Sequence, residues 1–143
     1  MQHAAAISGP ALRPGTSSIW AGRVLSGLVI AFFVMDSAMK IPPLQPVIDT
    51  MGPLGWPTDA GTTRTLAALL LVSTALYAWR PSAVLGAILI TAYLGGAVAT
   101  HARIGSPLLS HTLFSVYIGV MTWVGLWLRD PRLRALIPLA SPK

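Results

Sequence analysis

The sequence predicts an all-α, polytopic membrane protein built as a bundle of four transmembrane helices. Hydrophobic residues make up 54% of the 143 residues and charged residues only 10%, whereas a soluble domain carries roughly 25% charged residues. Mean hydropathy is +0.68, and so little charge cannot cover a surface that faces water. Four apolar runs approach the length of about 20 residues that crosses a bilayer.

The four apolar runs are predicted as helices because their hydrophobic residues do not alternate, as a transmembrane strand would require. Arg80-Pro81 leaves only a tight turn between the second run and the third. The first connection, 41–61, contains five prolines, and this density rules out a regular helix through the whole segment. The third run is rich in small residues, which predicts a central position in the bundle. We place the helices at residues 19–39, 62–79, 82–100 and 111–128.

The ends of the chain differ in composition from the apolar runs. Residues 1–18 are rich in Ala, Gly, Pro and Ser and are predicted to form a flexible tail. The membrane domain is placed at 19–138 and a C-terminal tail at 139–143. The first apolar run ends in Asp36 to Lys40 and not in a small-x-small site, so we expect no cleaved signal peptide.

The distribution of positive charge predicts the orientation in the membrane. Seven Lys and Arg residues fall on the side of both termini, against three on the other side. The positive-inside rule therefore places both termini in the cytoplasm, in an inner (plasma) membrane. The basic residues stand singly, so the net charge of +6 indicates a lipid bilayer and not nucleic acid as the partner. Other membrane subunits or a second copy of the chain are further candidate partners.

Polar side chains gather near the non-cytoplasmic ends of the first, third and fourth predicted helices. Asp36 and Lys40 are four residues apart, so they share a helix face and can pair. Ionisable groups inside a membrane are usually paired or functional. The candidate polar pocket comprises Asp36, Lys40, Tyr93, Thr100, His101, Arg103, His111 and Ser115.

The same residues also have structural interpretations. Basic side chains at helix ends extend to the lipid headgroups, which would account for Lys40 and Arg103, and an Asp36–Lys40 pair would hold a helix end together. The spacing of His101 and His111 is not one that metal sites use, so no metal is predicted. Haem is disfavoured because both histidines lie at one membrane face. The chain has no cysteine, which excludes disulfides and thiol chemistry within it.

Several segments in combination resemble the DoxX-like family of small membrane proteins. These are Gly22-Arg23, Asp36 to Lys40, the Pro-Leu-Gly-Trp-Pro segment at 53–57, Gly95-Gly96-Ala97 with Thr100 to Arg103, the Pro107-Leu108 turn and Arg129-Asp130. The resemblance covers residues 20–138 and implies a four-helix membrane bundle. The family name comes from a small subunit of a quinone-linked thiosulfate-oxidising complex. The resemblance therefore implies a quinone as a candidate ligand, with no covalently bound cofactor, and it transfers no catalytic residue.

Three functions are compatible with these features, and the sequence leaves open whether the chain is an enzyme. The leading hypothesis is an accessory or binding subunit in quinone-linked membrane redox chemistry. A second is a small membrane enzyme that uses Asp36 with His101 or His111 for proton transfer on a lipophilic substrate, because histidine titrates near neutral pH. A third is a small transporter or channel subunit, although no inverted repeat is visible.

Overall fold

Six α-helices account for most of the computed structural model, which describes residues 16–137. A 3-10 turn, Arg80–Ser82, joins the third helix to the fourth, and a π-helical turn, Leu108–Thr112, precedes the fifth. Residues 16–137 contain no strand, so the predicted all-α class is confirmed. Residues 1–15 of the predicted N-terminal tail and all of the predicted C-terminal tail lie outside the described range. The helices are α1 (Thr16–Lys40), α2 (Gln45–Met51), α3 (Ala60–Ala78), α4 (Ala83–Arg103), α5 (Leu113–Arg129) and α6 (Pro131–Leu136).

The four long helices α1, α3, α4 and α5 lie within three residues of their predicted ends. No regular helix runs through the whole first connection, as predicted, but a helix of seven residues, α2, forms within it. Pro46 lies in the first turn of α2, where the proline fits because a helix does not use that backbone N–H. A proline there starts a helix and does not interrupt one.

Three helical segments are long and apolar enough to cross a membrane by length and composition: Thr16–Lys40, Arg80–Arg103 and Leu108–Arg129. α3 is not among them. Its first turns carry Arg64 and three threonines, Thr62, Thr63 and Thr65, which lower its hydropathy. The chain thus has the composition of a helical membrane protein, with three candidate spans in the described residues.

The long helices form a ring in which each packs against two neighbours. α1 contacts α3 and α5, and α4 contacts the same two helices from the opposite side. The prediction that the third apolar run, now α4, is central is therefore wrong. Gly95 and Gly96 face open space, since a Cβ added to either would meet nothing within 4 Å.

Close helix contacts are concentrated in one half of the ring. We divide the ring along the helix axes into two halves. The terminal half holds the Arg80–Ser82 turn and both described ends of the chain. The distal half is the opposite one, which α2 covers. A Cβ on Gly86 would lie 2.5 Å from Tyr77 Cα, so α4 touches the backbone of α3 directly. A Cβ on Gly22 would lie 2.9 Å from Gly125 O, which brings α1 equally close to α5. Small residues permit such backbone approach in membrane helices.

Tyr77 joins three helices at the centre of the terminal half. Its side chain is fully buried, and its hydroxyl donates to Thr122 O at 2.8 Å and lies 3.0 Å from Ser26 Oγ. Arg129 donates to Tyr77 O at 2.8 Å, and its guanidinium lies 4.8 Å from the Tyr77 ring centroid. These hydrogen bonds fix α3 against α1 and α5, while Arg129 Nε is buried without a hydrogen-bond partner.

Candidate functional site

A cavity of about 490 Å³ occupies the distal half of the ring. Residues from all four long helices line it, and the segment 41–59, here called the cap, covers it. The cap contains α2 and the loop that follows. Val47 and Met51, one helical turn apart on α2, are buried and line the cavity. The cap is therefore a wall of the cavity, held there by the apolar face of α2.

Most of the cavity wall is apolar, with aromatic rings at several positions. Phe33 and Leu70 are buried at the base, toward the terminal half. The rings of Phe32 and Phe114 meet edge to face with centroids 5.7 Å apart, a geometry that aromatic pairs favour. The apolar lining comprises Phe32, Phe33, Met39, Pro46, Val47, Met51, Leu54, Trp56, Leu66, Leu70, Ala92, Leu94, Ala97, Phe114 and Ile118.

An ion pair of α1 lies in the wall of the cavity. Lys40 Nζ is 2.5 Å from Asp36 Oδ2, across one turn of the helix, as the spacing predicts. The lysine side chain is the more buried of the two, with 13% of its surface exposed against 32% for the aspartate. The pair thus places a positive and a negative group together beside an apolar space.

His101 brings an imidazole to the cavity from α4. Its Nδ1 lies 3.1 Å from Ser106 Oγ, which orients the ring. His111 lies on the π-helical turn with its ring centroid 5.8 Å from that of His101. Its own Nδ1 is 2.8 Å from Ser110 Oγ, but His111 is exposed and is not part of the lining. The two histidines are neighbours, and only one of them reaches the cavity.

Arg103 contacts the cap. Its Nη2 donates to Leu54 O at 2.7 Å, next to Gly55, whose φ of +77° allows the loop to turn there. Arg64 binds the other end of the cap, donating from Nε to Ile41 O at 3.1 Å. Both arginines tie the cap to the long helices, and neither lines the cavity.

The structure therefore brings most of the predicted pocket residues to one place. Arg103 and His111 lie beside the cavity and outside its lining. The residues that line it are Asp36, Lys40, Tyr93, Thr100, His101 and Ser115. Among residues 16–137, no group of three or more His, Asp or Glu side chains is arranged to hold a metal ion. The groups present can donate and accept hydrogen bonds and place charge against a ligand.

Sequence reasoning missed the cap and the aromatic wall. One signal was available for the cap: Val47 and Met51 are four residues apart between prolines, which is the spacing of one helix face. No comparable signal marks Phe32 or Phe114, because most apolar residues of a membrane helix face lipid. Their place in a cavity depends on how the helices diverge.

A family model described as the DoxX-like family matches residues 24–125. The match includes every residue of the predicted pocket, the cap and the turn at Pro107-Leu108. It leaves out two of the resembling segments, Gly22-Arg23 and Arg129-Asp130. No curated protein and no solved structure matches the chain. Because the match spans well over half of the 143 residues, the chain belongs to the DoxX-like family.

Proposed function

We propose that the protein is a four-span inner-membrane protein with both termini in the cytoplasm, and that its cavity binds a lipophilic ligand of the quinone class. In this role it is an accessory or binding subunit in quinone-linked membrane redox chemistry. The observation that carries the proposal is the cavity, with its apolar, aromatic walls and a group of polar side chains.

The fourth span in this proposal is α3. Its 19 residues rise about 28 Å at 1.5 Å per residue, close to the ~30 Å hydrocarbon core. Its outward face is apolar, since 56% of Leu69 and 59% of Val72 are exposed. The polar start of α3 lies at the distal end, where Arg64 binds the cap and can reach the headgroup region.

Cysteine labelling tests this topology directly, because the chain has no native cysteine. Single cysteines at Asp49 in the cap and at Pro81 in the α3–α4 turn occupy opposite ends of α3. In intact cells we expect a membrane-impermeant maleimide to label D49C and to label P81C only after the cells are broken. Equal labelling of both sites in intact cells would contradict a span at α3.

The chemistry of the cavity suits a flat, apolar head with hydrogen-bond acceptors. Binding pockets for small molecules are typically ~300–1,000 Å³, mostly apolar, with a few polar groups that orient the ligand. A quinone ring offers two carbonyl oxygens, and Lys40 and His101 carry N–H groups that can donate to them. Phe32 and Phe114 provide rings for apolar contact. The family resemblance supports the same ligand class.

Native mass spectrometry with an absorbance spectrum, on protein purified in mild detergent, tests the ligand and reports the oligomeric state. We expect retained quinone, or saturable binding of added decylubiquinone. A97F would fill the cavity, because Ala97 lines it, and should abolish binding. A99F is the matched control, because Ala99 is on the same helix, exposed and outside the lining. A wild-type protein that neither retains nor binds a quinone would refute the proposed function.

A further inference from the structure

The cap covers the distal end of the cavity. Six cap residues line the cavity, and two of them, Val47 and Met51, are buried. The hydrogen bonds from Arg64 to Ile41 O and from Arg103 to Leu54 O hold the cap at both of its ends. A ligand arriving from water would have to break these contacts to pass.

The side of the cavity facing α4 is open by contrast. Ala92 and Gly96 both line the cavity, and both are exposed. A Cβ on Gly96 would meet no atom within 4 Å. These two residues are one helical turn apart, so they leave a strip of α4 without bulky side chains where the cavity reaches the surface.

We infer that the ligand enters and leaves the cavity sideways from the bilayer, past Ala92 and Gly96, and not through the cap. The inference rests on the proposed function and narrows the ligand class to an amphiphile with one polar head and a long hydrocarbon tail. The head lies in the cavity near Asp36 and Lys40, while the tail extends through the lateral opening into lipid. Such a tail keeps its apolar surface out of water throughout loading.

The residue beside Gly96 offers a matched control. Gly95 also faces open space, but it lines a separate groove between α4 and α5 and not the cavity. Leucine at either position adds the same bulk to the same helix. We therefore compare G96L with G95L, each reconstituted in phosphatidylcholine vesicles and mixed with decylubiquinone, which has a ten-carbon tail. The rate of quinone binding is followed by quenching of the fluorescence of Trp56, a cavity residue, with W56F as the blank.

We expect G96L to slow both association and dissociation at least tenfold with little change in Kd, and G95L to match the wild type. Ubiquinone-0, which has the same head and no tail, should bind far more weakly.

If G96L behaves like G95L while R103A speeds loading, the ligand passes through the cap and the inference is wrong, although the proposed function stands. If G96L weakens binding without slowing association, position 96 is part of the binding surface, and the inference also fails. If the wild type binds neither quinone, the proposed function fails with it.

Discussion

The two halves of the helix ring differ in how closely their helices pack. In the terminal half, glycines bring the backbones of paired helices into contact, at Gly86 against Tyr77 and at Gly22 against Gly125. In the distal half, the same four helices stand far enough apart to enclose about 490 Å³. Helices that pack tightly at one end can diverge at the other end while the bundle stays assembled. The close contacts therefore make the cavity possible.

Polar side chains follow the same division. In the terminal half, the hydroxyls of Ser26, Tyr77 and Thr122 bind each other or nearby carbonyls, so their bonding capacity is used within the protein. In the distal half, Asp36, Lys40 and other polar groups border an open space. The first arrangement gives rigidity and the second leaves groups available to a ligand. Four predictions test this difference, in order of decreasing expected effect.

The largest loss of stability is expected from G86A in the terminal half. The new Cβ would overlap the backbone of α3 at Tyr77, and neither helix can move without disturbing the Tyr77 hydrogen bonds. Overpacking typically costs about 1–3 kcal/mol and occasionally more, and because the Cβ would lie 2.1 Å from the backbone nitrogen of Tyr77, we expect a loss above that range. Unfolding by SDS titration in mixed micelles measures it. G95A is the control and should be neutral, because its methyl group enters open space; equal losses in both variants would contradict the difference between the halves.

The next largest difference in stability is expected when a leucine is truncated to alanine in one half or in the other. Leu126 is 1% exposed in the terminal half, and L126A should destabilise by about 3 kcal/mol, because it removes contacts and leaves a void. Leu66 is half-buried against the existing cavity, and L66A should cost less than about 1 kcal/mol, since part of its surface has no packing partner. The same SDS titration applies. A larger loss for L66A would show that the distal half is the tighter one.

Removing the charge of Asp36 should have a moderate effect on stability. D36N leaves the ammonium group of Lys40 mostly buried without its partner, at a cost of about 1–2 kcal/mol, below that of a fully buried pair because Asp36 is partly exposed. The double variant D36N/K40M should recover most of the loss. D49N is the matched control, because Asp49 accepts from Gln45 at the same spacing on an exposed surface. A double variant as unstable as D36N would argue that the pair stabilises the helix end by packing alone.

The smallest effect is expected at Asp59, which caps the N-terminus of α3 in water. Its carboxylate accepts from Thr62 Oγ1 at 2.7 Å and from two backbone N–H groups. The Thr62 hydroxyl, followed by the backbone bonds, lowers the pKa of Asp59 from its ordinary value of 3.8. The pKa is lower in the folded state, so the stabilisation is present above about pH 4 and is lost as pH falls through the folded value. The difference in unfolding midpoint between wild type and D59A should therefore shrink at low pH. A constant difference would assign the effect to helix propensity.

The sequence predicted the long helices well and the candidate site in part. Apolar length and flanking charge do not depend on other helices, so the ends of α1, α3, α4 and α5 could be located. Asp36 and Lys40 were found together because their pairing is local to one helix turn. Trp56, Phe32 and Phe114 could not be assigned to the cavity, since nothing local distinguishes a lipid-facing ring from a cavity-facing one.

What the sequence by itself determined is the helical membrane character of the chain, the places where its long helices begin and end, and the gathering of Asp36, Lys40 and the histidines of the pocket near one end. Only the tertiary structure decided what each small residue does. Gly86 and Gly96 lie on the same helix, yet one touches the backbone of α3 and the other borders an open cavity. The physical reason is that a glycine in the sequence specifies only that a side chain is absent. Whether that absence becomes a contact or an opening depends on the distance to the neighbouring helix.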